Sequence, residues 1–413
     1  MPERSGSPPQ RRQRPQDKSG KGGPNQLNSS HSPDAPIYLP YGRQWIGEDD
    51  IAAVVEVLRS DYITTGPVVG RFEQALCECV GVRRAVAVNS GTSALHAAYF
   101  AAGLGPGDQI ITSPLTFAAT ANAALYLGAL VRFVDVEPDT GNIDPARIEE
   151  AITDRTRLIV PIDFAGHPAD YDEVGRIARS HGLMVVADAA HSLGATFRGR
   201  RSGTLADVSA TSFHPIKSIT TAEGGALLTD HVELADRAAR FREHGIVRDA
   251  QHTLAQEGPW WYEMHDLGFN YRLSDVHCAL GLSQLRKLDR FIARRRQIAD
   301  IYTQALVGID SLELPAVRDD VEPAWHLYVV RVVDPSLRRP LVEALRGAGV
   351  GVQVHYIPVH YHPYYRKLGY LRGAFPIAED LYARALSLPI FPAMTDDDVH
   401  RVIDACVLSI GGV

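Results

Sequence analysis

The segment Leu183-Met184-Val185-Val186-Ala187-Asp188 is apolar until it ends in a carboxylate. A strand with apolar side chains on both faces is typical of a mostly parallel sheet that helices cover on both sides. The segment Leu158-Ile159-Val160-Pro161-Ile162 has the same character. Because strand and helix patterns alternate from about residue 85 to residue 230, the sequence predicts an open α/β sheet. Further predicted strands cover 85–88, 109–112, 131–136, 209–212 and 226–229.

A lysine lies between the last two of these strands, in Ser212-Phe213-His214-Pro215-Ile216-Lys217-Ser218-Ile219-Thr220-Thr221-Ala222-Glu223-Gly224-Gly225. Most lysines are solvated surface charges, but the apolar neighbours of Lys217 make a poor solvent-facing surface. Lys217 also follows Asp188 by 29 residues. A lysine that forms a Schiff base and an upstream aspartate that pairs with a pyridinium nitrogen are what pyridoxal 5′-phosphate (PLP) requires of a protein. The pair therefore indicates a PLP enzyme.

Asp188 follows a strand that is expected to be buried, and ligands of α/β sheets bind at the carboxyl ends of the strands. A buried carboxylate there needs a partner, and a protonated pyridine nitrogen would be one. The alternative is that Asp188 caps a helix that begins with Ala189. His191 could meet the phenolic oxygen or the phosphate of the cofactor, or it could be structural.

The segment Asn89-Ser90-Gly91-Thr92-Ser93-Ala94 ends one predicted strand and begins a helix. Free backbone N–H groups at a helix start make an anion site, which suits a phosphate. Serine or threonine at this position is more often a simple helix cap. Phe117 could pack against the cofactor ring or within the core. The group 268–275 could be a helix cap or a second phosphate-binding edge.

The composition limits the possible partners and cellular locations. The chain has 413 residues and a net charge of −7, so no basic face for nucleic acid is indicated. No apolar run reaches the ~20 residues that span a bilayer. The four cysteines are too few and scattered for a disulfide framework or a zinc site, and the expected location is the cytoplasm.

Three regions are predicted along the chain. Residues 1–36, rich in Pro, Ser, Gly, Gln and Arg and without the apolar core of a signal peptide, are expected to be a disordered tail. Residues 37–275 form the large domain, and residues 276–413 form a smaller α+β domain that includes a long linking helix. In that small domain, strands are predicted at 328–332 and 351–356, and a helix at 338–347. The run Arg294-Arg295-Arg296 on the linking helix is expected to be solvated or to face another subunit.

The motifs 89–94, 188–191, 212–225 and 268–275 occur in the order found in fold-type I PLP enzymes. From about residue 37 to residue 410 the chain resembles the DegT/DnrJ-type sugar-nucleotide aminotransferases. The segments 135–143, 213–221, 258–264 and 354–360 are similar to the members that act in pseudaminic acid biosynthesis. The resemblance implies the fold-type I aminotransferase fold, a mostly parallel seven-stranded sheet between helices with a smaller α+β C-terminal domain.

The resemblance also implies roles for particular residues. Lys217 is expected to form the Schiff base with PLP, Asp188 to pair with its pyridine nitrogen, and His191 to lie near its phenolic oxygen. The expected remaining cofactor contacts are Gly91, Thr92, Ser93, Phe117 and Ser212, together with Asn270 acting on the cofactor of a partner subunit. The expected sugar-nucleotide contacts are Tyr41, Asp61, Tyr62, Ile63, Thr64, Gln353, Val354, His355 and Tyr356.

The implied reaction moves an amino group from L-glutamate to a UDP-linked 4-keto-6-deoxy sugar, in a homodimer with shared active sites. Relatives that dehydrate the sugar carry histidine in place of Lys217, so the lysine favours transamination. The alternatives are another ketosugar, as in perosamine or aminoarabinose synthesis, or an idle regulatory protein with the PLP fold. A nucleotide-binding dehydrogenase is disfavoured because no GxGxxG motif follows a first strand.

Ala222 departs from the family pattern, which usually has glycine before Glu-Gly-Gly. If this position needs a positive φ, alanine there would destabilise the fold by roughly 1 kcal/mol.

Overall fold

The computed structural model describes residues 38–249 and 251–411. The predicted tail, residues 1–36, lies outside the described residues. No helix within the described ranges is long and apolar enough to cross a membrane.

Helices and strands alternate through the first two thirds of the described chain. The helices are α1 Glu48–Leu58, α2 Pro67–Val80, α3 Gly91–Ala101, α4 Ala119–Tyr126, α5 Tyr171–His181, α6 Val232–Arg242, α7 Asp275–Leu285, α8 Leu288–Leu306, α9 Arg338–Gly347, α10 Pro363–Lys367, α11 Pro376–Arg384 and α12 Asp396–Gly411. The strands are β1 Arg84–Val88, β2 Gln109–Thr112, β3 Leu130–Phe133, β4 Thr156–Val160, β5 Met184–Asp188, β6 Thr196–Phe197, β7 Arg200–Arg201, β8 Val208–Ser212, β9 Gly225–Thr229, β10 Ile246–Val247, β11 Glu263–Met264, β12 Leu312–Glu313, β13 Val321–Glu322, β14 Tyr328–Val332 and β15 Ala385–Leu388.

The central sheet has seven strands in the order β1-β9-β8-β5-β4-β2-β3. The pairs β8–β5, β5–β4, β4–β2 and β2–β3 are parallel, whereas β9 runs antiparallel to both of its neighbours. The predicted mostly parallel α/β sheet of seven strands is confirmed.

Both faces of this sheet are covered. Val86 and Val88 of β1 pack in one core with α3 and α6, and Ala85 and Ala87 pack in another with α2 and α7. Side chains of neighbouring strand residues point to opposite faces, so an apolar strand can fill two cores at once. The strands are therefore apolar along their whole length because both of their faces are buried.

The C-terminal part has a smaller sheet and a hydrophobic core that are separate from those of the central sheet. Strands β12, β14 and β15 make an antiparallel sheet that packs with α9, α12 and the second half of α8. Leu39 belongs to this same core, because its N–H donates to the carbonyl of Gly349 and its carbonyl accepts from the N–H of Gly351. Tyr41 is held nearby, since its carbonyl accepts from the N–H of Ile390.

Two predictions in this region are wrong. The strand expected at 351–356 is reduced to one bridge between Gln353 and Ser387, and the chain then leaves the sheet so that Tyr356 reaches His191. Arg295 is not solvated but only 1% exposed. It lies three residues from both Ile292 and Ile298, and residues at this spacing share one helix face, which here is buried.

Ala222 has the backbone conformation that the sequence analysis considered unfavourable for it, with φ +67°. Its side chain is exposed, and its N–H is hydrogen bonded to the Thr220 hydroxyl oxygen at 2.9 Å. The tight turn after Lys217 therefore holds a left-handed alanine.

Replacing this residue by glycine should stabilise the protein. Ala222→Gly is expected to raise the free energy of unfolding by about 0.5–1 kcal/mol, because glycine adopts positive φ without a Cβ clash. The change is measured as a shift of the urea midpoint. The matched control is Ala293→Gly at an exposed position of helix α8, which should lower stability by a similar amount. Destabilisation by Ala222→Gly would contradict the interpretation.

Candidate active site

A cleft of about 660 Å³ opens where β5 and β8 end and helix α3 begins. Its walls come from four parts of the chain: the N-terminal segment, the start of α3, the ends of the sheet strands, and the segment after β14 and α9. Twelve of the predicted site residues line it: Tyr41, Gly91, Thr92, Phe117, Asp188, His191, Ser212, Lys217, Gln353, Val354, His355 and Tyr356.

Asp188 is the most deeply buried charge of the cleft, with 7% of its surface exposed. Its carboxylate accepts hydrogen bonds from the Thr120 hydroxyl at 2.6 Å and from the Ala190 N–H at 3.2 Å. Burial raises its pKa, while these bonds and the charge of Lys217 act in the opposite direction. The residues after Asp188 form turns rather than a helix, so it does not cap one.

Lys217 lies in the loop between β8 and β9, on the same cleft as Asp188. The loop is closed at its base, where the N–H of Phe213 donates to Gly224 and the N–H of Thr221 donates to Phe213. Burial lowers the pKa of the lysine amine to about 8, with the charge of Arg295 adding to this and that of Asp188 opposing it. The amine therefore loses its proton more readily than an ordinary lysine, and a nucleophile or base must be uncharged to react.

The start of α3 forms the opposite end of the cleft. Ser90 caps the helix by accepting from the N–H of Ser93, and the Ser93 hydroxyl donates to Asn89 at 2.6 Å. A Cβ on Gly91 would lie 2.9 Å from the Cβ of Ser212, so only glycine allows this close approach. The unused N–H groups of the first turn are suited to binding an anion. The Ser93 hydroxyl, by contrast, is used within the helix cap.

His191 connects the cleft to the C-terminal part of the chain. Its Nε2 is hydrogen bonded to the Tyr356 hydroxyl at 2.9 Å, and its ring lies 4.3 Å from the ring of His326. Burial lowers the pKa of His191 well below its usual value, so its ring is neutral. Its Nδ1 is buried and has no hydrogen-bond partner among the described residues.

These groups fit PLP. A buried carboxylate suits the pyridinium nitrogen, and the glycine-lined helix start suits the phosphate. The unpartnered Nδ1 of His191 is available to a ligand oxygen. Phe117, with 62% of its surface exposed, offers an aromatic face on the cleft. When bound, PLP supplies an electron sink for the substrate carbon that loses a proton.

Six of the predicted residues do not line this cleft: Ser93, Asn270, Asp61, Tyr62, Ile63 and Thr64. Tyr62 and Ile63 are more than half exposed, and Asn270 is exposed as well. The cleft of a single chain is therefore formed without them.

Thr120 was missed by the sequence analysis. It lies 68 residues before Asp188 in the alanine-rich helix α4, and its hydroxyl is also hydrogen bonded to Thr116 at 2.8 Å. Nothing in the spacing of the sequence connects this helix with the end of β5.

The fold and the site define a fold-type I, PLP-dependent aminotransferase. The chain belongs to the DegT/DnrJ/EryC1/StrS aminotransferase family, which it matches over residues 44–407.

Three similar proteins show how far this likeness extends. The spore coat polysaccharide biosynthesis protein SpsC of Bacillus subtilis (strain 168) is 43% identical over 373 residues, or 89% of this chain and 96% of SpsC. Helicobacter pylori PseC, an aminotransferase involved in the biosynthesis of pseudoaminic acid, superposes with a TM-score of 0.86 at 32% identity, covering 91% of this chain and 100% of PseC. The sugar aminotransferase Spr1654 of Streptococcus pneumoniae, in its PLP-form, superposes with a TM-score of 0.85 at 28% identity over 91% and 99% of the two chains.

The Thr120 hydroxyl should strengthen cofactor binding. Thr120→Val removes the hydrogen bond that favours the charged form of Asp188, and PLP affinity is expected to fall by about 10-fold or more. Affinity is measured by absorbance titration of the cofactor-free protein. Thr120→Ser keeps the hydroxyl and should remain within about threefold of the unmodified protein. Unchanged affinity in the valine variant would show that the hydroxyl does not act through Asp188.

Proposed function

We propose that this protein transfers the amino group of L-glutamate to the C4 keto group of a UDP-linked 4-keto-6-deoxy sugar, of the UDP-2-acetamido-2,6-dideoxy-β-L-arabino-hexos-4-ulose type. The product is the 4-amino sugar nucleotide used for pseudaminic acid-type glycans. The observation that carries the transamination is the presence of the Lys217 amine and the Asp188 carboxylate on one cleft. The particular sugar is supported by the likeness to PseC and by the motif 213–221, which resembles the enzyme that makes UDP-4-amino-4,6-dideoxy-N-acetyl-β-L-altrosamine.

In this proposal, Asp188 stabilises charge on the cofactor and Lys217 transfers the proton. Asp188 holds the ring nitrogen of the cofactor protonated, which lowers the barrier to removing a proton from the amino donor. The Lys217 amine takes that proton from the donor Cα, and in the second half of the reaction it delivers a proton to C4 of the sugar. His191 and Tyr356 act as one hydrogen-bonded unit that orients the cofactor from the side of the C-terminal domain.

The complete site requires a second subunit in this proposal. Asn270 and the segment Asp61–Thr64 are exposed and lie outside the cleft of their own chain. The segment that precedes Asn270 in the sequence carries the exposed apolar side chains Trp260, Met264 and Leu267, and exposed apolar groups are common at contact surfaces. We infer a homodimer in which Asn270 reaches the cofactor phosphate of the partner and 61–64 line the partner's sugar-nucleotide pocket.

Lys217 is the first residue to test. Lys217→Ala should remove the visible absorbance of PLP bound to the amine and reduce turnover with L-glutamate by at least about 10³-fold, because the base is lost. Lys367→Ala, at an exposed lysine, is the matched control and should behave like the unmodified protein. A Lys217→Ala variant with full transaminase activity would refute the assignment. Absence of any glutamate-dependent bleaching in the unmodified protein would instead favour an idle regulatory protein.

The acceptor is identified with a panel of ketosugar nucleotides. The experiment starts from enzyme loaded with pyridoxamine phosphate (PMP), the aminated form of the cofactor. The UDP-linked arabino-hexos-4-ulose is expected to restore PLP absorbance at least about 10² times more efficiently than GDP- or dTDP-linked 4-keto-6-deoxy sugars. The reason is that an enzyme discriminates between substrates by how well its pocket binds each transition state. Product formation is followed by mass spectrometry. Preference for the GDP-linked precursor of perosamine, or for the aminoarabinose precursor, would replace the proposed acceptor while leaving the transamination intact.

A further inference from the structure

Arg295 is the largest fully buried side chain of the described structure, with 1% of its surface exposed. It lies on α8, the helix whose first half packs with the large sheet and whose second half packs in the C-terminal core. Its neighbours behave as expected for surface arginines: Arg294 pairs with Asp396 at 2.8 Å, and Arg296 lies 3.5 Å from Glu322. Arg295 therefore stands apart from the run in which it occurs.

The guanidinium group of Arg295 binds backbone carbonyls instead of an anion. Its Nη1 donates to the carbonyls of Ile390 at 2.8 Å and Trp325 at 3.1 Å, with that of His326 at 3.4 Å. Its Nη2 donates to the carbonyl of Ile216 at 3.3 Å, the peptide that immediately precedes Lys217. One side chain thus joins the loop that carries the lysine to two segments of the C-terminal region.

The charge of Arg295 is not neutralised. No carboxylate of residues 38–249 or 251–411 lies within ion-pair distance of it, and burial lowers its pKa to about 10. Removing a charge from water without an ionic partner is strongly unfavourable, and hydrogen bonds to carbonyls offset only part of that. A neutral side chain with N–H donors could bind the same carbonyls without the unfavourable burial of a charge. The positive charge of Arg295 is therefore expected to have a role of its own.

The ionisable groups near the Lys217 amine come from every element around it. Those that interact electrostatically with it are the carboxylate of Asp188, the guanidinium of Arg295 and the rings of His191, His326 and His355. His214 and Glu223 of its own loop, and Tyr41 and Tyr356, line the same cleft. Burial and neighbouring positive charge lower the pKa values of these three rings, so they are neutral at physiological pH. Besides burial, two charges therefore act on the pKa of the lysine amine: Asp188 favours its charged form, and Arg295 disfavours it.

We propose that Arg295 is a positioning residue for Lys217. Its guanidinium group holds the Ile216 carbonyl, and its charge, which no carboxylate of the described residues neutralises, favours the uncharged form of the lysine amine, the form that can accept a proton. The inference rests on the proposed role of Lys217 as the Schiff-base lysine and proton carrier. It assigns a direct electrostatic task to a residue outside the cleft.

Two variants separate the charge from the hydrogen bonds. Arg295→Gln keeps an amide donor for the carbonyls but removes the charge, whereas Arg295→Lys keeps the charge but loses the fork that reaches Ile216. Arg296→Gln on the next position is the matched control. The full-length protein freed of PLP is labelled with trace acetic anhydride between pH 6 and 11, and acetylation of Lys217 is read by mass spectrometry.

The labelling midpoint of Lys217 is expected near pH 8 in the unmodified protein. In Arg295→Gln it should move up by about one pH unit, because the opposing positive charge is gone and Asp188 remains. Arg295→Lys and Arg296→Gln should stay within about 0.3 pH unit of the unmodified protein. In the PLP-loaded enzyme, the pH midpoint of the visible absorbance change should shift in the same direction. An unmoved midpoint in a folded Arg295→Gln protein would overturn the electrostatic role.

The hydrogen bond to Ile216 is tested by amide hydrogen exchange of the segment 213–218. Exchange should be faster in Arg295→Lys than in Arg296→Gln, and equal exchange would overturn the positioning role even if Arg295→Gln failed to fold. Because the labelling and exchange experiments use cofactor-free protein, they do not depend on turnover. Failure of the proposed function would appear instead as full activity in Lys217→Ala.

Discussion

The rest of the active site depends on the burial of one carboxylate at the end of β5. Asp188 is almost inaccessible to water, and an ion in that position is stable only if the surrounding structure supplies donors or a positive charge. The described protein supplies one hydroxyl from α4 and one backbone N–H. The carboxylate can still accept a cation on the cleft side, and in the proposed function the protonated ring of PLP would be that cation. The parallel sheet is the means by which this carboxylate is placed at a shared edge beside Lys217.

The sheet, its seven strands and the shared position of Asp188 and Lys217 on one cleft could be predicted from the sequence. Each rests on a local pattern: apolar runs, turn residues, or a lysine among apolar neighbours. Thr120 could not be found this way, since only the packing of α4 beside the strand end brings it to Asp188. The prediction that Arg295 is solvated was wrong because two local patterns disagree. A run of three arginines indicates a surface by composition, while the helical spacing with Ile292 and Ile298 indicates burial, and here the spacing decides.

The cleft is assembled from segments that are far apart in the chain, and the C-terminal region forms one of its walls. Tyr356 meets His191 across the cleft, and Arg295 fixes the loop of Lys217 from the other side. A movement of the C-terminal region relative to the loop would therefore reach Lys217 through the Ile216 carbonyl, which belongs to the peptide bond that precedes the lysine. In the proposed role of Arg295, the charge and geometry at Lys217 depend in part on a residue that does not line the cleft.

The short bridge between Leu39 and Val350 gives the N-terminal segment an importance that its length does not suggest. The match to the family begins at residue 44, yet Tyr41 already forms part of the cleft and Leu39 part of the C-terminal core. A shortened gene product that starts at the family boundary would keep every catalytic side chain and still lack one wall of the pocket. Fusion partners and affinity tags are accordingly best joined upstream of residue 38, where the bridge and the wall stay intact.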